Sequence, residues 1–243
     1  MSMASVPDAY RAAVFGASGG IGAAFVDLLA ADPRCAAVHA GSRHPAPHPS
    51  DKVNAFAFDL TDQSSIAHAA EQIGAVDLVI VATGILHGPA LQPEKALRSI
   101  DADQMQRAFA INAAGPALVA RHMLPKFSRE RRAVFAALSA KVGSISDNRL
   151  GGWHSYRASK AALNQLIRTI AVELTRTHPA CVCVALHPGT VDTALSRPFQ
   201  TGVPSKKLFT PEHAASQLLA VLDDLRPESS GRLIGWDGRE ISP

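Results

Sequence analysis

The sequence has few cysteines and no long apolar run. Three cysteines, an odd number, occur in 243 residues, which fits a reducing compartment better than a disulfide scaffold. No apolar run approaches the length of a membrane span, and the first residues lack the charged and the long apolar regions of a signal peptide. We therefore expect a cytoplasmic protein without membrane segments.

The sequence also lacks an excess of one charge. Lys and Arg number 24 and Asp and Glu 21, which gives a net charge of +3, and the basic residues are scattered along the chain. Nothing in this pattern calls for nucleic acid or an anionic membrane as a partner. Cys181 and Cys183 are too few ligands for a metal ion, so we predict no metal site.

Short apolar runs alternate with amphipathic segments along the whole chain. Hydrophobic residues make up 47% and charged residues 19% of the sequence, as in a globular chain. Predicted strands cover residues 11–15, 35–40, 53–58, 78–82, 133–138, 181–186 and 232–234. Predicted helices cover residues 21–31, 102–126 with a kink at Gly115-Pro116, 153–177 and 211–225. A further helix, capped by Thr61 or Asp62, is predicted to run to Gln72. This alternation predicts one α/β domain over residues 1–243, a Rossmann-type, doubly wound, mostly parallel sheet of about seven strands with helices on both faces.

Two segments stand outside this alternation. Residues 1–9 are expected to form a short mobile lead-in. Residues 190–209 are irregular, with Pro198, Gly202 and Pro204 as breakers, and they are placed to form a substrate lid. A static loop fits the same composition equally well.

A glycine-rich turn joins the first strand to the first helix. Gly16 permits a tight turn off the strand, Gly20 lets the backbone approach a pyrophosphate, and Gly22 lets the helix pack closely. Ser18 and Ile21 lie in the same turn, where the helix N-terminus offers unpaired N–H groups to phosphates. The spacing G-x-x-x-G-x-G predicts a dinucleotide site, although such a turn by itself could be purely structural.

Ligands of such sheets bind beyond the C-terminal ends of the strands, so these ends were compared. The second strand ends at Ser42-Arg43, where a carboxylate would bond the ribose of NAD; an arginine could instead hold a 2′-phosphate. This favours NADP with NAD as the alternative, unless Arg43 is a solvated surface residue. Asp59-Leu60 follow the third strand, where Asp59 could accept from the adenine amino group or cap the next helix.

Tyr156 and Lys160 lie four residues apart and share one face of a predicted helix. An ammonium near a phenol lowers its pKa from about 10 toward the working pH. Tyr156 could then protonate a carbonyl oxygen as a general acid. Ser139 and Ser144 follow the preceding strand, and Ser144 lies in the mouth of the loop.

Together these motifs resemble the short-chain dehydrogenase/reductase family in its compact one-domain form. The resemblance covers essentially the whole chain, and residues 143–160 are similar to the subgroup that contains carbonyl reductases and C-factor. Its carriers are Gly16-x-x-x-Gly20-Ile21-Gly22, Asn112 within residues 111–115, Tyr156-x-x-x-Lys160, and Pro188-Gly189-x-Val191-x-Thr193.

The resemblance implies a role for each of these residues. Tyr156 would be the acid/base, and Lys160 would lower its pKa and hold the nicotinamide ribose. Asn112, through its side chain or the bent backbone around it, would hold a water that links Lys160 to solvent. Gly84 would let the cofactor approach. The nicotinamide end would be cradled by Pro188, Gly189, Val191 and Thr193. A homodimer or homotetramer built through helices 102–126 and 153–177 is also implied.

The chain departs from the family pattern at two places. Val81-Ala82-Thr83-Gly84 replaces the usual Asn-Asn-Ala-Gly, so the fourth strand should be held mainly by apolar burial. The position of the usual catalytic serine falls on Ala140. Ser144 is the preferred substitute over Ser139, because alternation along the strand would point Ser139 elsewhere.

Two functions follow from these motifs. One is an NADP-dependent oxidoreductase that interconverts a carbonyl and a secondary alcohol of a small substrate, with Tyr156 as acid/base. The alternative is an NAD(P)-binding regulatory or signalling protein of the C-factor type with weak or no turnover, which the missing serine favours.

Overall fold

One central sheet runs through the chain, and the computed structural model describes residues 2–89 and 91–243 of it. The sheet has eight strands in the order β10-β9-β6-β5-β4-β1-β2-β3. The strands are β1 (Tyr10–Phe15), β2 (Cys35–Ser42), β3 (Val53–Ala57), β4 (Leu78–Val81), β5 (Ala133–Leu138), β6 (Cys181–His187), β9 (Leu233–Gly235) and β10 (Glu240–Ile241). Neighbours pair in parallel except β9 and β10. The predicted mostly parallel sheet is confirmed, and the short antiparallel β10 adds one strand.

Helices cover both faces of the sheet, as predicted. They are α1 (Gly20–Ala31), α2 (Gln63–Ile73), α3 (Ala102–Phe109), α4 (Gly115–Met123), α5 (His154–Thr177) and α6 (Pro211–Asp224). Alternation along β1 sends Val14 into one core, with Phe25 of α1 and Leu218 of α6. The same alternation sends Phe15 into the other core, with Leu163 of α5. The central strands are buried from both sides, because both faces are covered.

The predicted continuous helix over residues 102–126 is interrupted. Residues Ala110–Ala114 form a π-helical turn between α3 and α4, and Gly115 N–H donates to the carbonyl of Ala110. Pro116 lies in the first turn of α4, where its missing N–H costs nothing. The irregularity therefore precedes the expected kink at Gly115-Pro116, and it places Asn112 in a π-turn, a feature found often at functional sites.

The start of the chain packs on the domain, contrary to the expectation of a mobile lead-in. Met3 and Val6 are buried. Met3 N–H donates to Asp32 Oδ2 at 2.9 Å, and the N–H groups of Ala4 and Ser5 donate to the Asp223 carboxylate. Met1 lies outside the described residues.

The segment expected to be a lid or a loop is closed at its base. β7 (Thr190–Val191) pairs in parallel with β8 (Leu208–Phe209) as a separate two-stranded sheet.

Among the helices of residues 2–89 and 91–243, none combines the length and apolar character needed to cross a bilayer.

Candidate active site

A cleft lies beyond the C-terminal ends of the strands. It consists of two adjoining cavities of about 450 and 780 Å³ that share Arg43, Thr83, Gly84 and His87 as walls. The smaller cavity is lined by Gly20, Ile21, Tyr156, Lys160, Pro188 and Thr193. The larger is lined by Gly16, Ser18, Ser42, Asp59 and Leu60. Most of the site residues predicted from the sequence therefore meet in one cleft.

The glycine turn forms the floor of this cleft. Gly16 has a φ of +98°, a conformation that a side chain would strain. A Cβ on Gly22 would lie 2.1 Å from the carbonyl oxygen of Gly16, and a Cβ on Gly20 would lie 2.9 Å from Thr193 Cγ2. The N-cap of α1 is Gly19, which has no side chain to bond the first-turn N–H groups. These donors and the positive end of the helix are suited to a phosphate.

Polar side chains surround the larger cavity. Asp59 Oδ1 accepts from the N–H and the hydroxyl of Thr61 at 2.8 and 2.7 Å. These bonds, and then the nearby charge of Arg43, hold the pKa of Asp59 below its usual value. The N-cap of α2 is Asp62, whose carboxylate accepts from Ser64 N–H at 2.9 Å. Asp59 is therefore not the helix cap, and its carboxylate faces the cleft beside Arg43.

Tyr156 and Lys160 lie together at the smaller cavity, both buried. Lys160 Nζ donates to the carbonyl of Leu138 at 2.8 Å and lies 5.9 Å from the centroid of the Tyr156 ring. Burial raises the pKa of Tyr156 to about 12 and lowers the pKa of Lys160 to about 7. The expected lowering of the Tyr156 pKa is thus reversed, because burial removes the phenolate from water and disfavours the charged form.

Asn112 connects the segment after β4 to the helix that carries Tyr156. It is fully buried, and its Oδ1 accepts from Ile85 N–H at 2.8 Å. Its Nδ2 donates to Ile85 O at 2.9 Å and to Ser159 Oγ at 3.1 Å. A Cβ on Gly84 would lie 3.5 Å from Asn112 Oδ1 and 3.6 Å from Lys160 Nζ. The loop after β4 therefore runs directly past the ammonium group.

The residues after β6 are split between the cleft and its support. Pro188 and Thr193 line the smaller cavity, whereas Gly189 and Val191 do not. Gly189 has a φ of +78°, and a Cβ there would lie 2.7 Å from the ring of Phe209. Val191 is buried, and its carbonyl accepts from the hydroxyl of Ser196. These two residues fix the backbone that presents Pro188 and Thr193.

The structure does not bring Ser144 to Tyr156, which corrects the expectation that it replaces the missing serine. Residues Lys141–Gly143 form a 3₁₀ turn after β5 and carry Ser144 into a separate cavity of about 450 Å³ beside His187. There Ser144 Oγ accepts from Asp147 N–H at 3.1 Å. Ser139 Oγ donates to Asn164 Oδ1 at 2.7 Å, so neither serine hydroxyl is directed to the phenol.

An aromatic wall that sequence reasoning did not assemble stands over Tyr156. The Trp153 ring packs edge-on against Tyr156 at 6.2 Å and against Phe199 at 5.0 Å between centroids. The His87 ring lies 5.6 Å from Phe199, and its Nε2 lies 3.0 Å from the carbonyl oxygen of Ala194. The sequence carries no local signal for the contacts of Phe199 and His87, because their partners are 46 to 112 residues away along the chain.

Comparisons with known proteins agree with this geometry. C-signal of Myxococcus xanthus is 37% identical over 146 residues, which cover 60% of this chain and 82% of that protein. The 1-hydroxy-2-glutathionyl-2-methyl-3-butene dehydrogenase of Rhodococcus sp. (strain AD45) is 31% identical over 180 residues, 74% of this chain and 76% of that protein.

Solved structures and the family comparison extend this agreement to the fold. The NADPH-bound carbonyl reductase from chicken fatty liver superposes with a TM-score of 0.83 at 26% identity, over 99% of this chain and 97% of that one. The short chain dehydrogenase family profile matches residues 11–203. The protein therefore belongs to the short-chain dehydrogenase/reductase family of NAD(P)-dependent oxidoreductases.

Proposed function

We propose that this chain works as a single domain that interconverts a carbonyl and a secondary alcohol with NADP as cofactor. The observation that carries the proposal is the continuity of the cleft. Tyr156 and Lys160 stand at one end, the glycine turn forms the middle, and Arg43 stands at the wall shared with the larger cavity.

The residues present fit a dinucleotide. Gly16, Gly19 and Gly20 line the cleft without side chains, so the backbone here is bare where a pyrophosphate would approach. Thr83 Oγ1 is buried at the shared wall and has no partner among the described residues. An unpaired buried hydroxyl is costly, and a ribose or amide group of a bound cofactor would supply its bond.

The preference for NADP rests on the adenosine end. β2 ends at Ser42, which is buried, and Arg43 follows in place of a carboxylate. The Arg43 guanidinium would pair with a 2′-phosphate, while Asp59 and Leu60 would face the adenine. The NADPH-bound relative from chicken liver supports this choice.

Tyr156 would donate the proton to the carbonyl oxygen. With a pKa raised to about 12 its phenol is protonated at neutral pH, so it carries the proton that the reaction consumes. The reduced nicotinamide supplies hydride for the carbonyl carbon. Lys160 would hold the nicotinamide ribose and stabilise the phenolate left behind, and the π-turn around Asn112 would hold a water that returns the proton.

The chain performs this chemistry without the usual serine. The absence of one transition-state hydrogen bond at Ala140 costs on the order of 10²–10³ in rate, by analogy with a lost oxyanion donor. Pro188 and Thr193 would meet the nicotinamide, backed by Gly189 and Val191.

We also propose that residues 190–209 form the substrate lid. Ala194, Leu195 and His87 line the smaller cavity, and Phe199 of the same segment packs against the His87 ring. A small carbonyl or alcohol substrate would bind in this cavity beside Tyr156. Assembly into a homodimer or homotetramer through residues 102–126, which span α3 to α4, and residues 153–177, which contain α5, is part of the same proposal, and sedimentation that shows only monomer would contradict it.

The test compares the two tyrosines of the chain. Consumption of NADPH is followed with a panel of aldehydes and ketones for the wild type, Tyr156→Phe and the control Tyr10→Phe, whose hydroxyl bonds Asp32 at the other end of β1. We expect Tyr156→Phe to lose about 10²–10⁴-fold in kcat while NADPH binding, measured by calorimetry, is kept. Full activity of Tyr156→Phe would refute the mechanism.

A regulatory function of the C-factor type is the second candidate. Ala140 in place of the serine and the similarity to C-signal favour it. NADPH binding by the wild type without turnover of any compound in the panel would select this function.

A further inference from the structure

Glu94 is a buried carboxylate from the loop between β4 and α3 that reaches the start of α5. It is 4% exposed. Its two oxygens accept from Ser155 N–H at 3.3 and 3.2 Å, and Oε1 also accepts from the Ser155 hydroxyl. Sixty-one residues separate the two side chains, so no sequence motif links them.

The start of α5 needs such a partner. Trp153 occupies the N-cap position and makes no side-chain capping bond. Indole cannot accept a hydrogen bond from a first-turn N–H, which capping requires. The carboxylate of Glu94 therefore does from a distance what Ser, Thr, Asp or Asn does locally at other helices, and it adds a negative charge at the positive end of α5.

The backbone before α5 is also held by Glu94. Gly151, Gly152 and Trp153 have φ values of +64°, +65° and +52°. The two glycines adopt this left-handed region freely, whereas a bulky residue such as Trp153 rarely does. The carbonyl of Glu94 accepts from Trp153 N–H at 2.5 Å. A backbone so disfavoured persists only where surrounding bonds hold it.

The consequence reaches Tyr156, which is the third residue of α5. Glu94, Ser155 and Tyr156 surround one small void of about 10 Å³, and the Trp153 ring packs against the Tyr156 ring. Disordering the first turn would displace the phenol and the aromatic wall together.

We propose that Glu94 is a positioning residue for Tyr156, acting as the remote cap of α5 and the anchor of Trp153. The proposal rests on the proposed function for its kinetic consequence and on the geometry alone for the capping. Positioning depends on the reach of the carboxylate more than on its charge. Gln keeps that reach and one acceptor oxygen, whereas Asp keeps the charge and is one methylene shorter.

The experiment uses Glu94→Ala, Glu94→Gln and Glu94→Asp in the full chain, with Asp62→Ala as control. Asp62 caps α2 through Ser64, so its loss also uncaps a helix, but one far from Tyr156. The readouts are kcat, KM, the Kd of NADPH, and amide hydrogen exchange over residues 153–158.

We expect Glu94→Ala and Glu94→Asp to lose about 100-fold in kcat, since a displacement near 1 Å costs about that much, with the Kd of NADPH changed less than about twofold. Exchange in the first turn of α5 should rise in both. Glu94→Gln should keep most of the activity, and Asp62→Ala should change kcat by less than about twofold while exchange rises only in α2.

Several outcomes would overturn the proposal. The proposal is wrong if the kcat of Glu94→Ala stays within threefold of that of the wild type. It is also wrong if amide hydrogen exchange over residues 153–158 is unchanged in that variant. Recovery by Asp and not by Gln would show that charge rather than reach matters. If Glu94→Ala does not fold, the Gln and Asp variants decide. Lack of turnover in the wild type would refute the proposed function instead, and the exchange data would still test the cap.

Discussion

Removal of the Arg43 guanidinium should convert a preference for NADPH into indifference between the two cofactors. Arg43 is exposed and lines both cavities of the cleft. A hydrogen bond to a charged group contributes about 1.5–3 kcal/mol, and exposure to solvent places Arg43 near the lower figure. Since 1.4 kcal/mol is about tenfold in Kd, we expect Arg43→Ala to weaken NADPH binding about 10–30-fold.

The assay is calorimetric titration of NADPH and NADH into the wild type, Arg43→Ala and Arg176→Ala. Arg176 lies in the last turn of α5, at the opposite end of that helix from Tyr156, so this control removes the same charge away from the cleft. The Kd of NADH should be unchanged in both variants. The NADPH effect should shrink with added salt, because a contact near the surface is screened.

Two results would contradict this reasoning. An equal loss of NADPH and NADH affinity in Arg43→Ala would show that Arg43 supports the fold of the site rather than the 2′-phosphate. Binding of neither cofactor by the folded wild type would mean that the glycine turn is structural only, and the proposed function would fail with it.

Three further predictions follow from the site. Lys160 has a pKa of about 7 in the folded protein against about 10.5 when unfolded. The unfolded state therefore binds more protons between these pH values, and the free energy of unfolding rises with pH. From pH 7 to 9, denaturant titration should show a rise about 2 kcal/mol larger in the wild type than in Lys160→Met. Equal pH dependence of the two proteins would contradict the lowered pKa of Lys160. Gly22→Ala should lower the free energy of unfolding by about 3 kcal/mol or more, since its Cβ would meet Gly16 O at 2.1 Å. The control Gly88→Ala places its Cβ in open space and should leave Tm nearly unchanged. Similar Tm values for the two variants would refute the close packing at Gly22. Ala140→Ser should raise kcat, by up to about 10²-fold if the hydroxyl reaches the carbonyl oxygen, and an unchanged kcat would show that the position no longer faces substrate.

Elements with a strong local pattern were predictable from the sequence. β5 has the predicted bounds, Ala133–Leu138, because the strand is buried on both faces and therefore begins and ends where the apolar run of the sequence does. The glycine turn was equally plain, since tight turns and close approaches restrict the residue type. β10 was missed because two residues carry no periodicity. The π-turn was missed because Asn112 within it bonds Ile85 and Ser159, which are 27 and 47 residues away and leave no local pattern.

The sequence indicated which residues form the site, but not their pKa values or their exact contacts. The spacing of Tyr156 and Lys160 indicated a shared face, yet the sign of the Tyr156 pKa shift depends on burial that only the fold provides. Ser144 was misplaced because a 3₁₀ turn, which has no reliable sequence signal, redirects the chain after Ala140. Glu94 gave no signal at all, since its partner lies on a distant element.

The pairing of β7 with β8 has a consequence for how this enzyme can evolve. These two short strands hold the two ends of the proposed lid at a fixed separation, so the part of the lid beyond Ser196, residues 197–207, can lengthen, shorten or be exchanged without moving Pro188, Thr193 or the first turn of α6. Doubling such a loop costs only about 0.6 kcal/mol in closure entropy. Replacement of this loop can therefore change the range of substrates, while the residues that bind the cofactor and the proton donor Tyr156 stay the same.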